Sequence, residues 1–188
     1  MKFALAAIAC AFACGAPLYA PSYVQAQQTE AASTTAANPL PDTDRAFVQA
    51  ASMSSSTEID AAKLAMHNTQ NKDVHAFARR MVLDHTKLAA QLKIAAPHGV
   101  TVPTDNSDTS ILDALRPLKG AAFDRAYAQK VGVQGHKEAV QAFQKEIADG
   151  QNDDLKKAAR KALPTIEEHY RMAQTLAQKV GADTTAAQ

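Results

Sequence analysis

Residues 72–96 read KDVHAFARRMVLDHTKLAAQLKIAA, and the spacing of the apolar positions decides the fold. Val74, Phe77, Ala78, Met81, Leu88, Leu92 and Ala95 recur every three or four residues, so a helix gathers them on one stripe. His85 falls on the same stripe. Pro97 and Gly99 stop the helix.

The same period predicts three more long helices. The first opens at Thr43 or Asp44 and runs to about Asn68, with Phe47, Ala51, Ser54, Glu58, Ala62 and Ala65 inward. The third spans about Ala121 to Asp149, inward through Ala122, Ala126, Val133, His136, Val140, Phe143 and Ile147, with Phe123, Tyr127 and Val131 on an adjoining face. Gly150-Gln151-Asn152 breaks the chain, and Asp153 is the expected cap of the fourth helix. That helix carries Leu155, Ala159, Ala162, Ile166, His169, Ala173, Leu176 and Val180 inward, and Pro164 inside it is expected to kink it.

No segment shows the alternation of a strand, and no repeat is apparent. Four amphipathic helices joined mostly by short turns predict an all-α domain over residues 44–181, an antiparallel four-helix bundle. The long connection lies between helices two and three. It holds turn formers from Pro103 to Asp108 and a short apolar segment, Ile111, Leu112, Leu115 and Leu118. Such a connection either crosses the full bundle, giving ferritin-like topology, or packs across one end.

The ends read differently. Lys2 precedes an apolar run from Phe3 to Cys14, and Val24-Gln25-Ala26 has the small-x-small character of a signal-peptidase site. Residues 1–26 are therefore expected to be a signal peptide cut after Ala26, with the protein periplasmic or secreted. Residues 27–43 are small, polar and unpatterned, the composition of a disordered leader, and 182–188 form a flexible tail. Cys10 and Cys14 both lie in the signal, so the mature chain has neither disulfide nor thiolate. Ala7 and Ala11 stand where a lipoprotein signal usually carries Leu, which argues against a lipid anchor. No transmembrane segment is expected in the mature chain.

Composition narrows the function. The 188 residues carry a formal net charge of +1 and only 5% aromatics, with no Trp. A nucleic-acid binder would show a basic excess or stacking platforms, so none is expected. Lys156-Lys157, Arg160 and Lys161 form a basic patch preceded by Asp153 and Asp154, the pattern of a solvated helix start. The sequence names no protein partner.

Four polar residues stand on the apolar stripes, one per helix: Glu58, His85, His136 and His169. Glu58 and His85 are equally distant from the turn between their helices, so they face each other about 20 Å along the hairpin. His136 and His169 are likewise symmetric about the second turn. All four therefore sit near one level and can converge at mid-bundle, where helical bundles build metal sites. Three imidazoles and a carboxylate suit Fe, Zn, Mn, Cu or Ni rather than Ca or Mg. Asp84, Asp124, Tyr127 and Glu168 are placed to support the ligands through hydrogen bonds. The alternative is a metal-free Glu/His network, which would equally satisfy a buried Glu58. No catalytic residue or organic cofactor site is assigned. Di-iron oxidases need Glu-x-x-His, and the positions three before His85, His136 and His169 are Val82, Val133 and Ile166.

The strings Glu58-Ile59-x-Ala61-Ala62-Lys63-Leu64-Ala65, Phe77-Ala78-x-x-Met81-Val82-x-Asp84-His85, Phe123-Asp124-x-x-Tyr127, His136, and Leu163-Pro164 with His169 resemble the domain of unknown function 4142 family. The resemblance covers about residues 43–180. It implies an exported, ferritin-like four-helix bundle and supplies no activity. The leading reading is a non-enzymatic periplasmic bundle holding one transition-metal ion in envelope metal handling or stress tolerance. A structural or partner-binding bundle is the second reading, and a metal-dependent redox enzyme the third.

Overall fold

The computed structural model describes residues 40–182. The signal peptide expected at 1–26, the leader up to residue 39 and the tail from 183 lie outside the described residues. Every regular element among the described residues is helical: α1 (Asp42–Asn68), α2 (Lys72–Ala95), α3 (Thr109–Leu115), α4 (Gly120–Ala126), a π-helical segment (Tyr127–Gly135), α5 (His136–Asp149) and α6 (Asp153–Lys179). The stretch from Gly120 to Asp149 runs without a break. None of these helices is long and apolar enough to cross a membrane.

Local chemistry sets the helix ends. The Asn71 side chain accepts from the backbone N–H groups of Asp73 and Val74 and starts α2. Asp108 does the same for α3 through Ser110 and Ile111. At α6 the cap is Asn152, which accepts from Leu155 N at 3.0 Å, and not the expected Asp153. Asp153 has become the first helical residue, where its charge still favours the helix dipole. Asp44 is fully buried and serves another helix end. Its carboxylate accepts from Gln151 N and Asn152 N at the α5–α6 turn, at 2.9–3.2 Å, so the start of α1 satisfies the backbone of a turn 107 residues away.

The connection after α2 travels along α1. Asn106 Nδ2 donates to Ser52 Oγ (2.9 Å) and Ser56 Oγ donates to Asn106 Oδ1 (3.1 Å). Asp108 N then donates to Thr57 Oγ1 (2.8 Å), and Asn68 Nδ2 donates to Arg116 O (3.4 Å). These partners sit at successive heights of α1, and α3 adds Leu112 and Leu115 to the core beside them.

Among the described residues the core has two apolar clusters. One gathers Ala62, Phe77, Met81, Leu115, Phe123, Tyr127 and Leu176 with their neighbours. The other gathers Phe47, Leu92, Phe143, Leu155 and Ile166, with Phe47 and Phe143 edge to face at 4.9 Å. Each long helix passes from one cluster to the other through a buried polar residue: Glu58, His85, His136 and His169.

The π-helical segment corrects one expected face. A straight α-helix drawn back from His136 puts Ala122 inward, yet Ala122 is exposed and Phe123 and Tyr127 are fully buried. Bonding to the fifth residue adds nearly one residue per turn and rotates the preceding face by about that much. Both the aromatic pair and His136 thereby face the interior. Gly132 lies in this segment, and a Cβ there would meet Ala173 Cβ of α6 at 3.0 Å. The two backbones approach that closely only because the residue is glycine.

Candidate metal centre

His85 of α2, His136 at the start of α5 and His169 of α6 meet in the polar layer. Their exposures are 1%, 1% and 0%. One ring nitrogen from each lies within 4.8 Å of the other two. His85 Nε2 and His136 Nε2 are 3.4 Å apart, and the three ring centroids are separated by 5.3–5.6 Å.

Each ring is held from outside. His85 Nδ1 lies 3.4 Å from Ser55 Oγ of α1. His136 Nδ1 donates to the Gly132 carbonyl at 2.8 Å and lies 3.2 Å from Glu58 Oε1. His169 Nε2 lies 2.8 Å from Asp84 Oδ2, and Arg80 also pairs with Asp84. The remaining nitrogen of His169, Nδ1, is buried without a hydrogen-bond partner among the described residues.

Burial keeps the rings neutral. It pushes His85 well below the ordinary imidazole range, with the charges of His136 and His169 adding to the effect. His136 is lowered to about 4 by burial and then by His169, against the carbonyls of Gly132 and Val131. His169 is lowered by burial despite Asp84. Burial alone would raise Asp84, but the hydrogen bonds from His169 and Arg80 outweigh it and hold the carboxylate below its usual range. Three neutral imidazoles in one place are the form in which histidine ligates metal.

The other expected residues take different places. Glu58, expected as a ligand, meets His136 on the nitrogen facing away from His85; burial raises its carboxyl, and its Oε2 has no hydrogen-bond partner among the described residues. Tyr127 is buried with a similarly unpartnered hydroxyl, its ring stacked on Phe123 at 5.6 Å. Asp124 accepts from Asn71 Nδ2 at 3.2 Å and ties α4 to the α1–α2 turn, so it does not hold a histidine. Glu168 pairs with Arg171 on the surface, because the residue preceding an inward His169 points about 100° away. Ser55 was missed. It belongs to a run of serines that reads as small residues for close packing, and its position three before Glu58 is the only signal of its place.

The family described as Domain of unknown function (DUF4142) matches residues 28–176. The chain belongs to this family. No curated protein matches this DUF4142 chain. Among solved structures it is similar to a Streptomyces coelicolor protein of DUF305 described as secreted, with a TM-score of 0.60 and 15% identity over 75% of this chain and 95% of that one. At that identity the likeness concerns the fold alone.

Proposed function

We propose that this DUF4142 chain is an exported helical bundle whose His85, His136 and His169 hold one transition-metal ion. The observation that carries the reading is the sorting of ring nitrogens. Three are anchored by Ser55, by Gly132 with Glu58, and by Asp84, while His169 Nδ1 is buried and unpaired. A buried polar atom without a partner costs about 1–3 kcal/mol, and a bound ion removes that cost. Two nitrogens about 2.0–2.1 Å from a tetrahedral ion stand about 3.3 Å apart; the Nε2 atoms of His85 and His136 are at 3.4 Å. The assigned ligands are those two atoms and His169 Nδ1, with Glu58, Asp84 and Ser55 orienting the rings. Imidazole ligands favour Zn, Cu, Fe or Ni. Three protein ligands leave a fourth position for water or a small ligand.

The long helices α1, α2, 120–149 and α6, with a connection running along α1, support an antiparallel, ferritin-like bundle. Export is read from residues 1–26, in keeping with the secreted description of the similar DUF305 protein. A role in envelope metal handling or stress tolerance follows from that compartment and that site.

One observation favours a metal-free network instead: at 3.4 Å, His85 Nε2 and His136 Nε2 can share a proton. Metal analysis of the mature domain, purified without an affinity tag, separates the readings. About one equivalent of a transition metal, lost in His85→Ala, supports the site. A fully helical protein with no metal and no uptake of Zn, Cu, Fe or Ni overturns it and leaves the network.

A further inference from the structure

On the Phe47–Phe143 side of the histidine layer, a cavity of about 550 Å³ is lined by residues of α2 and α6. That volume is in the range of small-molecule sites. Its walls are Phe47, Leu88, Leu92, Phe143 and Ile166, and its inner end reaches His85. The rim is cationic. Lys157 and Lys161 stand one turn apart on α6, both exposed, and neither takes part in an ion pair among the described residues. Among the described residues Asp154 is the one acid lining the cavity, which leaves the rim with a positive balance. Ile94, 84% exposed, extends the apolar surface outward.

We propose that this cavity binds a small anionic amphiphile, of the class of a medium-chain carboxylic acid. Its tail lies between α2 and α6, pointing toward His85, and its carboxylate rests at Lys157 and Lys161. The two halves of such a molecule match the two parts of the site. Apolar walls remove the chain from water, and a carboxylate supplies the partner that both ammonium groups lack. A partner helix is a poorer match. With side chains it is about 10 Å across, and it would have to part α2 from α6 to reach His85. The proposal rests on the cavity and its rim, so it does not depend on a metal at the histidines.

The test is calorimetric titration of the mature domain with decanoate and with uncharged decanol, below micelle formation, on metal-loaded and on chelated protein. The expected result is one decanoate per chain in both forms, with decanol at least tenfold weaker. Lys157→Ala/Lys161→Ala is expected to weaken decanoate about tenfold and to leave decanol unchanged. Ala158→Trp, which fills the cavity from its wall, should abolish both while helicity stays intact. If that variant does not fold, nuclear Overhauser contacts from the decanoate methyl to Ile166 or Leu92 in the unaltered protein decide the location. No decanoate binding up to millimolar concentration overturns the proposal. So does equal affinity for decanol, binding that survives Ala158→Trp, or methyl contacts elsewhere. Binding to chelated protein with no metal uptake would uphold this site while the metal reading fails.

Discussion

His85 Nε2 and His136 Nε2 lie 3.4 Å apart in a layer where both rings are 1% exposed. Two buried ring nitrogens this close are placed to share a proton or an ion. If it is an ion, removing either ring opens the site. His85→Ala and His136→Ala are each expected to abolish stoichiometric metal, measured by mass spectrometry, while far-ultraviolet circular dichroism stays helical. Unchanged metal content in both variants would place the ion elsewhere.

Asp84 fixes His169 through Nε2 at 2.8 Å. While the carboxylate accepts from Nε2–H, Nδ1 is unprotonated and free to ligate. Asp84→Asn keeps the shape, but its amide can donate to Nε2 and force the proton to Nδ1. The expected outcome is a 10–100-fold loss of metal affinity by competition titration with a chelator. Equal affinity would mean that His169 does not ligate through Nδ1.

If the proposed ion binds, the depressed imidazoles are expected to give its binding an unusual acid tolerance. Metal and proton compete for the same nitrogens. With His136 lowered to about 4 and burial holding His85 well below the ordinary imidazole range, protons win only at low pH. Retention is expected at pH 5, where an exposed histidine site has already released its ion, and loss is expected as pH approaches 4. Equilibrium dialysis across that range tests it. The metal-free fold carries the opposite burden. The pKa values of His85, His136 and His169 lie below the unfolded value near 6.5, with His136 at about 4, so the unfolded chain binds more protons as pH falls below 6.5, and stability falls with it toward 4.

Glu146 has the reverse sign. Its fully buried carboxyl faces Asp44 and accepts from no donor among the described residues; its pKa is raised to about 7 by burial and then by Asp44, toward which the protonated carboxyl can donate. The folded state therefore holds a proton that the unfolded chain releases above its ordinary value near 4.5. The protonated pair supports the fold fully below that value, and the support is lost as pH rises through about 7. Glu146→Gln imitates the protonated form. It is expected to stabilise the protein by about 1 kcal/mol at pH 8 and hardly at pH 5, read from urea unfolding. A pH-independent effect would count against a titrating Glu146.

Gly132 joins the π-helical segment to α6, and its carbonyl holds His136. Gly132→Leu has no room against Ala173 and is expected to cost about 1–3 kcal/mol. Because the same shift tilts His136, metal affinity should fall with stability. A loss of stability with unchanged affinity would separate the packing from the site.

Much of this was legible in the chain. Periodicity placed α1, α2, the 120–149 helix and α6 to within a residue or two at most ends, because an apolar stripe must be buried whatever it packs against. The inward places of Glu58, His85, His136 and His169 follow from the same stripes, and matched distances from the two turns put them at one height. Local rules did less well where a distant partner decides. Asp44 belongs by sequence to the start of α1, yet it satisfies the turn after α5.

The sequence by itself determined the helices, their inner faces and the level at which imidazoles and a carboxylate would meet, since these depend on spacing along one chain. Only the tertiary structure decided which nitrogen of each ring faces which neighbour, that Glu58 holds a ring from outside while Asp124 and Glu168 hold none, and that α2 and α6 leave a cavity ending at His85. Those outcomes depend on rotation and separation of packed helices, and a π-helical turn changes both while leaving in the sequence only a second apolar face, Phe123, Tyr127 and Val131, beside the His136 stripe.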